Sequence, residues 1–372
     1  MGDLFDYLDW RGDISFGNMP LCPVDALLLS ILPYIRQEGL IPSSLTAEPV
    51  RLADAAQAYF SRPVAENKLN AAHHRLLRAL AASDRFSSLR LIGARKTVDR
   101  REGLQFAAIT VLLPGQNLFV AFEGTDDSLV GWQEDFRMTY ECPVPAQLRA
   151  AEYLREVALL HPLRRIFVGG HSKGGNMAMY AALYCGEEFS HRIRAVYNND
   201  GPGFCDGTIS SPEYRAMRHR IHTYLPESSV VAVLLEHDDN HKIVKSTARG
   251  IFQHDPYTWQ VQGADFVYAK ERTAFGKDTE ELIDRFVKGM SPERKRQLGE
   301  ALFAVLESSN QATVSGIGNN KLQSARNMLR GYVGLDPELR QVLNQAILSL
   351  NRSRKEIRRE RKDSLAENEK SS

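Results

Sequence analysis

The sequence predicts an α/β fold in which a central, mostly parallel sheet is flanked by helices. From about residue 117 onward, apolar strand candidates alternate with helix candidates, as in parallel sheets. One strand candidate ends in the pentapeptide Gly170-His171-Ser172-Lys173-Gly174, and an Ala-rich helix candidate follows it directly. A serine between glycines at such a turn is typical of an enzyme nucleophile raised above a sheet, because the glycines let the strained turn close.

The N-terminal part is predicted to be mainly helical. Residues 23–32 predict a helix with proline near its start. Residues 46–85 carry Ala, Leu and Arg at helical spacing and divide near Pro63 into two helices. We interpret residues 43–88 as a helical insertion that covers a cleft as a lid.

The remaining elements follow in order, bounded by turn-forming segments. The first three strands are predicted to form an antiparallel meander: residues 89–98, 103–113 and 117–122. A helix over residues 145–161 leads to the strand at 165–168, which precedes the pentapeptide. Later elements are predicted as strand, helix and strand: residues 193–197, 212–222 and 229–235.

Aspartates follow the late strands, at the sheet edge where parallel sheets carry their sites. A serine nucleophile needs a base, and an acid that orients the base. Asp238 directly follows the apolar run 229–235 and is the predicted acid, with Asp239 and Asp200 as alternatives. Asp200 ends the preceding strand, but its loop is rich in turn formers, where an aspartate often only accepts turn hydrogen bonds.

The base and the oxyanion donors are predicted from the same chemistry. His241 and His254 follow Asp238, and His241 is too near to it to reach back to the serine. We therefore predict His254, in a turn-rich aromatic loop, as the base. The oxyanion hole needs two donors. The backbone N–H of Lys173 is one, and Thr125, through its N–H and its hydroxyl, is the other.

Several motifs resemble class 3 (fungal-type) lipases. They are the segment Phe122-Glu123-Gly124-Thr125, the pair Trp132 and Asp135, and the segment 170–176. The chain is more similar still to a bacterial family of unknown function within the α/β-hydrolase superfamily. Three segments carry that likeness: residues 5–13, 199–204 and 235–256.

The resemblance implies an α/β-hydrolase fold over residues 1–275. It implies a serine hydrolase, esterase- or lipase-like, that cleaves a small-molecule acyl ester or lipid through an acyl-enzyme, with Ser172, Asp238 and His254 as triad and Thr125 as oxyanion donor. No metal or organic cofactor is predicted. Glu123 and Lys173 depart from the lipase pattern. We interpret them as a charge pair across the mouth of the site, which disfavours a strictly apolar lipid.

The C-terminal part differs in composition. Residues 276–351 predict a helical extension, and residues 352–372 form a charged tail. The alternative function is therefore a catalytically inactive hydrolase fold that binds a protein partner, or assembles, through these helices. Glutamates interrupt the basic residues of the tail and the net charge is +1, so we predict no nucleic-acid partner.

Composition also bears on the cellular location of the protein. The sequence has no run of eighteen apolar residues, so no integral membrane segment is predicted. The N-terminus lacks a basic-then-apolar leader, and the four cysteines show no C-x-x-C spacing that would predict zinc or redox chemistry. We expect a reducing, cytoplasmic location.

Overall fold

A central sheet of eight strands organises the protein, and its spatial order is the order of the chain. The fold is that of a computed structural model, which describes residues 1–35, 39–63, 70–205 and 207–371. The strands are β1 (Val50–Arg51), β2 (Arg90–Asp99), β3 (Leu104–Leu113), β4 (Asn117–Phe122), β5 (Arg165–His171), β6 (Ile193–Asn199), β7 (Ile221–Pro226) and β8 (His241–Val244). Two short strands, β9 (Val261–Gln262) and β10 (Asp265–Phe266), form a separate pair.

The pairing of neighbouring strands changes once across the sheet, from antiparallel to parallel. Strands β1 to β4 are antiparallel to their neighbours, whereas β4 to β8 are all parallel. The predicted antiparallel meander and the predicted parallel region are both confirmed.

The α-helices surround this sheet and extend beyond it. Those of the first part are α1 (Leu4–Arg11), α2 (Pro23–Ile31), α3 (Leu52–Phe60), α4 (Ala71–Ala82), α5 (Leu129–Arg137), α6 (Pro145–Leu160), α7 (Lys173–Tyr184), α8 (Glu187–Ser190) and α9 (Pro212–Met217). The C-terminal extension comprises α10 (Ala274–Ile283), α11 (Pro292–Glu307), α12 (Val314–Asn319), α13 (Lys321–Gly334) and α14 (Pro337–Ser371). Proline begins α2, α6, α9 and α11, where its missing N–H costs no intrahelical hydrogen bond.

The core forms two layers, one on each face of the sheet. Every parallel connection advances in the same direction, so right-handed crossovers place α6, α7 and α9 on one face. Leu154, Met177 and Met217 of these helices join Val120 and Val168 of the sheet in one buried cluster. The N-terminal helices cover the opposite face. The sheet is therefore buried on both sides, as parallel sheets usually are.

Helices α3 and α4 form the described part of the helical insertion. The predicted division near Pro63 agrees with these two helices, and residues 64–69 lie outside the described residues. Leu52, Leu76 and Leu80 on them are completely buried in the core. This described part is built into the fold, and the lid role of 43–88 stays a prediction.

The predicted strand at 229–235 is wrong. This apolar run contains a single 3₁₀ turn, Ala232–Leu234, and the strand beside β6 is β7. The predicted helix over 212–222 accordingly ends early, at Met217. The backbone of β7 pairs in parallel with β6, with Tyr224 opposite Asn199. Pairing with a neighbour, and not hydrophobicity, selects the segment that becomes a strand.

Candidate active site

Ser172 occupies a strained turn between β5 and α7. Its backbone has φ 58° and ψ −136°, a conformation that costs on the order of 1–3 kcal/mol for a residue with a side chain. A Cβ on Gly170 would lie 2.1 Å from the carbonyl carbon of Gly174, and a Cβ on Gly174 would lie 2.2 Å from the Phe122 oxygen. Only glycine fits at either position, so the turn closes as the pentapeptide predicts.

Asp200 leaves the sheet beside Ser172. In the parallel register of β5 and β6, His171 is opposite Asn199, so the next residues, Ser172 and Asp200, emerge as neighbours. Asp200 is completely buried, and its N–H donates to the Tyr224 carbonyl at 2.8 Å. Its carboxylate also accepts the Ser229 hydroxyl. The sheet and one further hydrogen bond therefore fix this carboxylate.

His254 connects the two residues. Its Nδ1 lies 2.6 Å from the Asp200 carboxylate and its Nε2 lies 3.0 Å from Ser172 Oγ. Because a carboxylate only accepts, Nδ1 carries the hydrogen and Nε2 is left to accept the serine proton. Burial lowers the pKa of His254, but the charge and hydrogen bond of Asp200, with smaller contributions from Asp135 and Asp255, together raise it above the ordinary 6.5.

The predicted acid, Asp238, lies elsewhere, and this prediction is corrected. The Arg218 guanidinium binds the Asp238 carboxylate at 2.5 and 2.7 Å, and this ion pair lowers the pKa of Asp238. The carbonyl of exposed Asp239 accepts the His241 N–H at 2.9 Å. Because 229–235 is not a strand, its end does not approach Ser172. The alternative Asp200 takes the position beside the imidazole.

His171 supports His254 from behind. Its Nε2–H donates to the His254 carbonyl at 2.8 Å, which leaves Nδ1 to accept the Tyr34 hydroxyl at 3.2 Å. Its ring centroid lies 4.7 Å from that of His254. Burial, and then His254, lower the pKa of His171 well below 6.5, so it stays neutral beside the base. No local signal in the sequence reveals the bond of His171 to the His254 backbone.

The predicted oxyanion donors lie on the other side of Ser172. A Cβ on Gly124 would lie 2.9 Å from Ser172 Cβ, so this loop is in contact with the serine. The Thr125 hydroxyl donates to the Asp135 carboxylate, so only its backbone N–H remains a candidate oxyanion donor. Lys173 is the first residue of α7, and the N–H groups of a first helical turn lack intrahelical acceptors.

The two unusual charges do not pair with each other. Lys173 is 1% exposed, and its Nζ donates to Glu134 at 2.8 Å and to the Gln105 carbonyl at 3.0 Å. Glu123 is 2% exposed and contacts Lys96 at 3.4 Å. Burial, opposed by Lys96, raises the pKa of Glu123 to about 7. The hypothesis of a charge pair across the mouth is wrong, since both side chains are buried.

Asp135 joins these networks. Its Oδ2 accepts the Thr125 hydroxyl, and its Oδ1 lies 4.0 Å from Lys173 Nζ. Burial raises its pKa to about 6, and the charge of Lys173 opposes the rise. The described residues contain no group of three or more His, Cys, Asp or Glu side chains arranged to hold a metal ion.

Comparison with known proteins identifies the family of this chain. A family model described as Mbeg1-like matches residues 80–304. The chain belongs to the Mbeg1-like family. This family is related to class 3 lipases. The family match, together with the sheet topology, confirms the predicted lipase-like α/β-hydrolase relationship.

Solved lipase structures show a distant likeness to this Mbeg1-like chain. The Rhizomucor miehei lipase propeptide complex is 17% identical over 45% of this chain and 58% of that one, with a TM-score of 0.35. A fungal lipase–inhibitor complex is 15% identical over 46% and 68%, with a TM-score of 0.33. M37 lipase is 15% identical over 55% and 68%, with a TM-score of 0.36. No curated protein gives a significant match.

Proposed function

We propose that this protein is a serine hydrolase that cleaves an acyl ester through an acyl-enzyme. The observation that supports this most strongly is the continuous chain of hydrogen bonds from Ser172 through His254 to Asp200. Nucleophile, base and acid follow one another along it, and the base has the tautomer that accepts the serine proton. Membership of a lipase-related family supports the same chemistry.

Acylation begins when Ser172 Oγ attacks the ester carbonyl carbon and its proton passes to His254 Nε2. Asp200 stabilises the imidazolium, and the N–H groups of Lys173 and Thr125 bind the carbonyl oxygen as it becomes negative. The tetrahedral intermediate then collapses. The ester C–O bond breaks, the Nε2 proton goes to the leaving alcohol oxygen, and the acyl group stays on Ser172.

Deacylation repeats these transfers with water. His254 Nε2 removes a proton from the water as its oxygen attacks the acyl carbon. The second intermediate expels Ser172 Oγ, which regains its proton from Nε2, and the carboxylic acid leaves. The chain's own residues supply every proton acceptor and donor that these two steps need.

The proposed substrate is a lipid or another ester with an apolar acyl group. Ile251 and Phe252, on the turn that carries His254, are 57% and 72% exposed, and Trp132 on α5 is 51% exposed. These side chains offer apolar surface on the two elements that carry His254 and Asp135. The buried pairs of Lys173 and Glu123 place no charge at its mouth, which removes the objection to an apolar substrate. No helix within the described residues is long and apolar enough to span a bilayer.

Fluorophosphonate labelling tests the proposal. The wild-type protein is expected to acquire one covalent label, and Ser172→Ala none. A panel of p-nitrophenyl esters of rising chain length then measures turnover and acyl preference. A correctly folded wild type that neither labels nor turns over any ester contradicts the proposal, and supports the alternative of an inactive fold that binds partners through its C-terminal helices.

A further inference from the structure

A short segment of the C-terminal extension pairs with the loop that carries the proposed oxyanion donor. We call residues 312–314 the strap. The Leu129 N–H donates to the Ala312 carbonyl at 3.0 Å, and the Val314 N–H donates to the Asp127 carbonyl at 3.0 Å. Between them, Ser128 and Thr313 form an antiparallel bridge. The strap thus adds a strand-like edge to the loop just before α5 begins.

Helix α11 holds the other end of α5. The rings of Phe303 and Phe136 meet edge to face, with centroids 6.4 Å apart. A Cβ on Gly299 would lie 2.8 Å from the Phe136 ring, so α11 approaches α5 as closely as a glycine permits. The Lys295 ammonium donates to the Thr139 carbonyl at 3.2 Å. The extension therefore contacts α5 at both its ends.

Helix α5 in turn connects to both proposed oxyanion donors. Its Glu134 binds the side chain of Lys173, whose N–H is one donor. Its Asp135 accepts the hydroxyl of Thr125, whose N–H is the other. A shift of α5 would move the Thr125 donor through Asp135. The Lys173 N–H is joined to Ser172 by a peptide bond, so it is held with Ser172 and Asp200 by the sheet.

We propose that residues 292–314 position the oxyanion hole, and that the strap is the part of the extension that sets the loop before α5. The inference rests on the proposed function. These residues act through α5 and through backbone hydrogen bonds, so they are positioning residues. Their influence falls on transition-state stabilisation, because oxyanion donors act on charge that develops only there. The C-terminal extension is thus a working part of the site and not only a surface for partners.

Val314→Pro tests the strap. Val314 is the first residue of α12, where proline is favoured, and Thr313 already has the extended backbone that proline requires before it, with φ −134° and ψ 154°. The substitution removes the N–H that bonds to Asp127 and little else. We expect kcat to fall about tenfold, a fraction of the loss from deleting a donor, with KM within twofold and an unchanged melting temperature.

Val314→Ala is the matched control, because it trims the side chain and keeps the N–H; it is expected to turn over like wild type. Gly299→Ala is a second variant, which pushes on Phe136 from α11 and is expected to lower kcat without raising KM. Equal turnover of Val314→Pro and Val314→Ala, both folded, overturns the inference.

Hydrogen exchange separates this inference from the proposed function. In a Ser172→Ala background, Val314→Pro is expected to speed exchange of the Leu129 amide and to leave the amides of β5 unchanged. Unchanged exchange at Leu129 overturns the inference even if no ester is ever hydrolysed. A wild type that takes no fluorophosphonate label overturns the proposed function, while the exchange comparison still decides the role of the strap.

Discussion

The two halves of the candidate site are held in different ways. Ser172 and Asp200 leave adjacent strands, and the backbone register of β5 and β6 fixes them side by side. The opposite half, the loop with Thr125 and helix α5, is held by side-chain ion pairs and by the strap. The first half depends on core strands, which open only when the domain unfolds. The second half depends on individual contacts, each of which can open without the others.

This difference shows how one site can hold its nucleophile and acid rigidly while the alignment of its oxyanion donors stays adjustable. A nucleophile and its acid need a fixed separation, which a parallel sheet supplies without help from side chains. Oxyanion donors need fine alignment, and here surrounding layers of the protein provide it. Substitutions in the sheet half should therefore abolish most of kcat, whereas substitutions in the α5 half should lower kcat by smaller factors.

Asp200→Asn, in the sheet half, should cause the largest loss of activity. The amide keeps the size of the side chain but cannot hold the same imidazole tautomer or stabilise the imidazolium. We expect kcat to fall by about 10³–10⁴. Asp238→Asn is the matched control, because Asp238 pairs with Arg218 at an exposed position and should change kcat less than twofold. Comparable losses in the two variants would contradict the assignment of Asp200, and chromogenic ester kinetics decide the matter.

Lys173→Met should act on the other half, first through stability. The substitution leaves the fully buried Glu134 carboxylate without its cation, and removing one partner of a buried pair costs about 3–5 kcal/mol. Urea unfolding measures this loss. Lys173→Met combined with Glu134→Gln should recover only part of it, because the two Glu134 oxygens also accept the Gln105 and Ala146 N–H groups and an amide nitrogen cannot accept. Lys96→Met is the comparison variant. The Lys96 side chain is 21% exposed and 3.4 Å from Glu123, and burial raises the pKa of Glu123 to about 7, so this carboxyl can take up a proton and a smaller loss is expected.

The smallest expected effect is the pH dependence of labelling, which reports on the His254–Asp200 pair of the sheet half. His254 works as a neutral base, so fluorophosphonate labelling should fall as the pH drops through a pKa above 6.5. Because the folded-state pKa is raised, the His254–Asp200 pair stabilises the fold fully below the unfolded pKa, and this contribution is lost as the pH rises through the folded one.

In Asp200→Asn, burial remains without the carboxylate, and the imidazole pKa should move down. NMR titration of His254 in a Ser172→Ala background measures the shift. Asp238→Asn should leave that titration unchanged. A titration that is the same with and without the Asp200 carboxylate would argue against the electrostatic coupling of the pair.

The sequence is most informative where structure is local. The meander and the start of strand β5 are predicted close to their observed bounds, because hydrophobic periodicity and turn residues specify them. Ser172 and His254 are found from motif and chain order. Asp238 is preferred over Asp200 only because the apolar run 229–235 looks like a strand. The available signal is the position of Asp200, three residues beyond the strand predicted at 193–197.

Other features have no local signal. The partner of Lys173 is Glu134, and nothing in either segment indicates that α5 turns this carboxylate toward the serine helix. The strap lies in a stretch without motif or periodicity, and its bonds to the loop are made by backbone groups, which every sequence possesses. Such contacts follow from the packing of distant elements and not from residue type.

The strand order also bears on how the chain is assembled during synthesis. Each new strand of the sheet docks against the one made just before it, so the sheet can grow steadily from one edge while the ribosome is still translating. The nucleophile emerges early in this process, its base only with the loop after β8, and the last support of the oxyanion loop only when residues 312–314 are free. If the proposed hydrolysis holds, a nascent chain lacks its base until the loop after β8 has emerged, and lacks the full support of the oxyanion loop until residues 312–314 have emerged.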